Sequence, residues 1–287
     1  VLPRTNEAVN EEWISDKTRY AVDGLSRQRL DRPFIRVGGR LQPATWGEAL
    51  EAVAGRVKAA RPERIGVIAG DLQDAESMKA ALDLFGGLGV KSLDCRQDGM
   101  ALGGGPRESW LLNSTIQGLE DADVVLLVGT NPRLEAPVLN ARLRKRWMAG
   151  GLRVGVIGEG ADLTYGYDFL GSGPAALTGL AKSKSPFLGA LKAAKNPAII
   201  VGAGALARAD GAAVLAAAAG AAKAFAMTWN VLHTAASRVG GLDLGFVPAA
   251  GGKTAKQMVA KGGADVLVLL GADEIDLSKS DAFVVYI

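Results

Sequence analysis

The alternation of apolar and polar positions predicts short buried strands separated by amphipathic helices. The clearest strand is Asp123-Val-Val-Leu-Leu-Val128, an almost wholly apolar, β-branched run of the kind that lies inside a parallel sheet covered on both faces. Gly129-Thr-Asn-Pro132 breaks it, and Pro137 opens a basic helical pattern that runs to Trp147. A second copy follows downstream, where Ala264-Asp-Val-Leu-Val-Leu-Leu-Gly-Ala-Asp273 repeats Ala122-Asp-Val-Val-Leu-Leu-Val-Gly-Thr-Asn131. Two copies indicate two related α/β units. The turn between such a strand and its helix, here Gly129–Pro132, is where open α/β sheets bind ligands.

Further strands are predicted at Ile65–Ala69, Lys91–Cys95, Leu152–Ile157, Ala198–Val201, Ala224–Thr228 and Phe283–Tyr286. Between them, helices are predicted over 74–85, 109–116, 174–181, 186–195, 210–222 and 231–239, with a basic amphipathic stretch at 253–261. Thr45 and Glu48 form a capping box ahead of an apolar stripe of Ala49, Val53 and Val57. Residues 1–45 and 161–173 show no period, apart from a short edge strand at Pro33–Val37 closed by Gly38-Gly39. The strand–helix alternation predicts an α/β fold of two doubly wound parallel sheets. The expected organisation is an irregular lead-in over 1–45, a first unit over 46–185 ending at the Lys182–Ser185 linker, and a second unit over 186–287.

The totals narrow the function classes. With 33 basic and 30 acidic residues the net charge is +3, too balanced to call for nucleic acid. One cysteine, Cys95, and one histidine, His233, exclude an intrachain disulfide and any Cys/His-rich metal site built by this chain alone. No apolar run reaches the roughly 20 residues of a membrane span. Val1-Leu-Pro-Arg4 has neither the basic start nor the apolar core of a secretory signal, and the sequence stops inside the strand pattern at Phe283–Ile287. The expectation is an excerpt from a longer polypeptide.

Candidate chemistry is sparse. Gly202-Ala-Gly-Ala-Leu-Ala207 matches the dinucleotide fingerprint in form, but the next predicted strand ends without the acidic residue that would hold a ribose. Arg142, Arg144, Lys145 and Arg146 form a basic cluster that, with Arg133, suits either a phosphate or acidic partner surface, or a solvated helix face. Cys95 reads as a small core residue and His233 as a packed or capping histidine on a helix. Asp71, Asp74, Glu76, Asp94 and Asp98 lie near strand ends with no nucleophile or ligand set to join. No catalytic triad, metal spacing or phosphate loop emerges, so no catalytic or metal-binding residue is assigned.

Residues 1–25, opening Val1-Leu-Pro-Arg-Thr-Asn-Glu-Ala-Val-Asn10, closely resemble the large iron–sulfur subunit of respiratory complex I, the proton-pumping NADH:quinone oxidoreductase. Leu111–Ile116, Glu120–Pro137, Asp162–Tyr165, Asp210–Ala213 and Leu267–Asp273 carry the same resemblance. It implies that iron–sulfur clusters belong to a preceding N-terminal part. It also implies that this region resembles molybdopterin oxidoreductases such as formate dehydrogenases. Against that wider pattern, Ser15-Asp-Lys-Thr18 stands where a cluster-closing Cys-x-Lys-Gly is typical. No Cys or Ser occurs between Arg96 and Arg107, where a molybdenum ligand falls near Met100. The Gly-x-Asn-Pro turn persists at Gly129–Pro132, while Ala136-Pro137 replaces the frequent His-Pro. The resemblance thus implies a structural domain with no cofactor of its own and with Gly129 and Asn131 as vestigial positions. Its partners would be other peripheral-arm subunits and its own iron–sulfur domain, on the cytoplasmic side of a bacterial inner membrane. The competing expectations are an active molybdopterin- or nucleotide-binding oxidoreductase domain, and a binding module that docks through the basic helix.

Overall fold

The computed structural model describes residues 1–27 and 29–287; Gln28, within the basic stretch 25–30, lies outside the described residues. The chain opens with α1 (Asp16–Tyr20), the hairpin β1 (Phe34–Val37) and β2 (Arg40–Pro43), and α2 (Trp46–Ala59). Next come β3 (Ile65–Ala69), α3 (Ala75–Gly87), β4 (Ser92–Asp94), β5 (Val124–Val128), α4 (Pro132–Glu135) and α5 (Pro137–Met148). β6 (Arg153–Ile157), β7 (Asp168–Gly171), α6 (Pro174–Thr178), α7 (Pro186–Ala193), β8 (Pro197–Gly202) and α8 (Ala203–Leu206) follow. The last elements are α9 (Gly211–Ala224), β9 (Thr228–Leu232), α10 (Arg238–Asp243), α11 (Ala255–Met258), β10 (Val266–Leu270) and β11 (Phe283–Tyr286).

Packing divides the chain into two discontinuous units, Val1–Arg19 with Met100–Thr234, and Tyr20–Gly99 with Ala235–Ile287. Positions 45 and 185, read from the pattern as boundaries, each fall inside one of these units. A linear reading of composition does not reveal a chain that leaves a unit and returns to it.

The first unit holds a five-stranded parallel sheet in the order β7-β6-β5-β8-β9. From β5 the chain steps outward through β6 and β7, then returns to β8 on the other side, so the strand order reverses between β5 and β8. Every residue of β5 and β8 is buried. Leu139 and Leu143 of α5 join Val125, Leu127, Val154, Val156 and Ile200 in one core cluster. A Cβ on Gly155 would stand 2.7 Å from the Phe187 ring of α7, so the glycine is what lets that ring pack against β6.

The second unit carries a four-stranded parallel sheet, β11-β10-β3-β4, whose order reverses between β3 and β10. The duplicated run therefore supplies β5 to one sheet and β10 to the other, each beside its reversal point. The glycines that end the two strands share one left-handed conformation, with φ of 57° at Gly129 and 56° at Gly271. α2 begins with the expected capping box, Thr45 Oγ1 accepting from Glu48 N while Glu48 Oε2 accepts from Thr45 N.

Several elements differ from the pattern. Residues 107–110 form a 3-10 turn, and Leu112 forms an isolated bridge with Asn230 of β9, with Val231 N donating to Leu111 O, before a turn at Asn113-Ser114. The predicted strand at 224–228 and helix at 231–239 are replaced by a longer α9, β9 at 228–232 and a later α10. β7 lies in the stretch read as irregular, and β2 pairs with the predicted edge strand β1.

Candidate functional site

The turn after β5 lines a cavity of about 590 Å³ at the carboxyl ends of β5, β6 and β8. Its walls include Thr130, Asn131, Glu135, Glu159, Ala205 and Arg208. Glycines bring three backbones together here. A Cβ on Gly202 would lie 2.4 Å from Gly129 O, one on Gly129 2.5 Å from Ala205 Cβ, and one on Gly158 3.2 Å from Gly129 Cα. The predicted pair Gly129 and Asn131 thus occupies the reversal point of the sheet, where a ligand site is expected.

The electrostatics of the cavity oppose an anion. Glu135 Oε1 accepts from Asn131 N at 2.9 Å and Glu135 Oε2 from Thr130 Oγ1 at 2.7 Å, so a carboxylate of the chain already holds the N–H a phosphate would use. Glu159 adds a second carboxylate, and the Arg208 guanidinium is held by both oxygens of Asp210, at 2.6 and 2.9 Å. Asn131 Oδ1 is buried without a hydrogen-bond partner. Gly202–Ala207 enters the short α8, and β9, the strand after α9, ends at Leu232-His233 with no acidic side chain for a ribose. Glu135 carries no sequence signal for this closure, because it stands four residues after Asn131, one beyond the three-residue spacing of a capping box.

In the second unit, Cys95 follows β4 and is fully buried. A Cβ on Gly241 would lie 2.8 Å from its Sγ and 3.3 Å from Met78 Sδ. Burial pushes the thiol up to about 12, so it stays protonated and is a poor metal ligand. The acidic candidates each have a local task. Asp94, 1% exposed, accepts from Arg96 N, Arg96 Nε and Ala255 N at 3.0, 2.8 and 3.1 Å. Asp74 caps α3 through Ser77 N at 2.7 Å, and that hydrogen bond lowers its carboxyl below the ordinary value. Glu76 sits exposed in the first turn of α3. Asp71 and Asp98 flank the fully buried Arg238, at 3.4 and 3.2 Å, while Arg238 Nε donates to Cys95 O at 3.0 Å. Arg238 carried no sequence signal, because its partners are more than a hundred residues away.

Of the basic cluster on α5 only Arg142 is turned inward, while Arg144 and Lys145 are exposed and Arg146 is half-buried. Arg142 is 3% exposed, with Nη1 2.5 Å from Glu120, Nε 3.3 Å from Val9 O, and Nη2 on Glu7 O. Lys145 pairs with Glu11 and Glu120, Arg144 donates to Thr164 O, Arg146 to Gly150 O, and Arg133 to Asp162. Arg142 is thus taken up by the chain's own loops, while Arg133, Arg144 and Lys145 stay exposed with partners within the chain, closer to a solvated helix face. His233 follows a strand rather than sitting on a helix, its Nε2 2.7 Å from Trp110 O. Among the described residues, no group of three or more His, Cys, Asp or Glu side chains is arranged to hold a metal, and no helix is long and apolar enough to cross a membrane.

Residues 29–287 match the family model of molybdopterin oxidoreductase. The chain belongs to the molybdopterin oxidoreductase family. Residues 1–23 match a second model, described as the NADH-ubiquinone oxidoreductase NDSU1/NuoG-like 4Fe-4S domain. Over its full length the chain is 45% identical to the mitochondrial NADH dehydrogenase (ubiquinone) iron-sulfur protein 1 of Solanum tuberosum, of which it covers 39%. It is likewise 42% identical to an NADH-quinone oxidoreductase subunit of Rickettsia bellii, of which it covers 42%. The likeness to the large iron–sulfur subunit of complex I therefore runs along the whole chain, which spans about two fifths of the length of these curated relatives. Among solved structures, the formyltransferase/hydrolase complex FhcABCD from Methylorubrum extorquens with methylofuran matches at TM-score 0.44 and 14% identity, over 84% of this chain and 83% of that one.

Membership in the molybdopterin oxidoreductase family raises the question of a pterin-bound metal, and the residues present do not fit one. The only thiol is sealed and protonated, and residues 96–107 offer no cysteine or serine. The turn that would meet a pyrophosphate is closed by Glu135. No chemical step through such a group follows from this arrangement.

Proposed function

We propose that this chain is a scaffolding region of the large iron–sulfur subunit of a proton-pumping NADH:quinone oxidoreductase, carrying neither cluster nor molybdenum itself. In this reading it holds the iron–sulfur part of its own subunit and neighbouring peripheral-arm subunits in place. It sits on the cytoplasmic side of a bacterial inner membrane through those partners, and electrons pass elsewhere. The observation that carries the reading is the sealed Cys95: the one thiol of this chain is fully buried beside Gly241, and burial keeps its proton on. The identity to complex I subunits over the entire chain and the match of residues 1–23 to a 4Fe-4S domain support the assignment to that complex.

The test is Cys95→Ala in the full-length subunit within its complex. The account predicts unchanged iron–sulfur spectra and unchanged NADH–quinone turnover, with a stability cost of about 1 kcal/mol for the small cavity left. Loss of a cluster signal, or of turnover in a fully assembled complex, would contradict it. The rival reading, an active nucleotide- or pterin-binding oxidoreductase, is opposed by the two carboxylates that face the cavity after β5.

A further inference from the structure

The first thirteen residues adhere to the first unit in an unusual way. They bury almost no apolar surface: Leu2 is 81% exposed, Trp13 56% and Val9 44%. The segment nevertheless keeps a defined loop. Glu11, Asn10 and Val9 donate their N–H groups to Asn6 O, Asn6 N returns a bond to Glu11 O, and Asn10 Nδ2 donates to Arg4 O at 2.9 Å and Trp13 O at 3.2 Å. Glu11 holds a left-handed φ of 51°, a conformation that costs a non-glycine residue free energy and persists only where its surroundings enforce it. What fastens this loop is charge. Arg142 spreads three donors over Glu7 O, Val9 O and the Glu120 carboxylate, and Lys145 bridges Glu11 and Glu120.

We propose that Arg142, with Lys145, Glu120 and Glu11, is an electrostatic latch that fixes the tail of the iron–sulfur domain to α5. The latched residues lie within the segment matching the 4Fe-4S domain, although unit 2, not unit 1, follows them in the chain. The fork of an arginine suits this task because it satisfies two carbonyls and a carboxylate at once, which a lysine cannot reproduce. The lead-in in turn covers the guanidinium, leaving it 3% exposed. Tail and helix thus hold each other, and movement of the iron–sulfur part is passed directly to α5. The role assigned to that part rests on the scaffolding reading above; the latch itself does not.

The test uses the full-length subunit in its complex and reads hydrogen exchange. In Arg142→Met the account expects the amides of Asn6, Val9, Asn10, Glu11 and Trp13 to lose protection by about tenfold or more, while β5 and β6 keep theirs. Arg142→Lys recovers part of the protection. Should Arg142→Met not fold, Glu11→Gln weakens the latch from the exposed side and gives a smaller rise in the same amides. Unchanged exchange across residues 4–13 in the folded variant overturns the latch. Opened exchange with full assembly and turnover establishes the latch and counts instead against the scaffolding reading.

Discussion

At the scale of single residues, buried charge decides most of the behaviour of this chain. Arg238 has two carboxylates and a carbonyl around it and no exposed surface. Arg238→Met removes the cation and leaves Asp71 and Asp98 facing each other; since both keep some contact with water, the loss is about 3 kcal/mol, the lower end for a broken buried pair. Denaturant titration of the purified protein checks it, and a change within experimental error would show that the network contributes little. Glu120 gives the pH dependence its sign. Burial pushes its carboxyl up, but the hydrogen bonds and charges of Lys145 and Arg142 pull it below its ordinary value of 4.5. A folded-state value lowered in this way contributes stability that is complete above about pH 4.5 and lost as pH falls through the folded value. Lys145, raised by its bonds to Glu11 and Glu120, contributes stability present below its unfolded value and lost only at strongly alkaline pH. Stability measured from pH 7 down to 3.5 therefore falls less steeply in Glu120→Gln than in the parent protein; parallel slopes would remove Glu120 from the account.

At the scale of elements, the buried strands were legible in the sequence and the polar connections were not. β3, β5, β6, β8 and β10 announce themselves as apolar runs closed by glycine or by a helix signal, and the repeat of β5 in β10 points to two units. β9 escaped because its middle residue is Asn230, fully buried yet satisfied by Ser114, Ile199 O and Thr228 O. Three of those bonds go to residues far away in sequence, and no local pattern contains them. β7 escaped for a similar reason, since Asp168 is held in place by a two-point pair with Arg153 on β6. The turn at Gly129 and Asn131 is legible from its place between strand and helix, whereas the Glu135 carboxylate that closes it carries no local signal. Two substitutions test that turn. Gly202→Ala places a methyl group 2.4 Å from Gly129 O, with backbone rather than a mobile side chain in the way, so the variant is expected to be insoluble or to melt far below the parent. Glu135→Ala frees the Asn131 N–H and the Thr130 hydroxyl and costs about 1–2 kcal/mol; a thermal melt indistinguishable from the parent would show that the closure is idle.

At the scale of the whole molecule, each of the two parallel sheets has a point where its strand order reverses, and the two points differ in how closely their turns approach. In one sheet Gly70 and Gly271 are so close that a Cβ on Gly70 would meet Gly271 O at 1.9 Å. In the other a cavity remains, bordered by carboxylates. Under the proposed scaffolding role, strand pairing and core packing carry the stability of both sheets, and no cofactor contributes to it. The measurement that tests this most directly is a cofactor census of the purified protein: molybdenum, tungsten and iron by mass spectrometry, with released pterin and nucleotide by chromatography. The account predicts near-zero molybdenum and tungsten, no iron held by residues 1–287, and no extractable pterin or nucleotide. Stoichiometric molybdenum or pterin would contradict it and restore an active oxidoreductase.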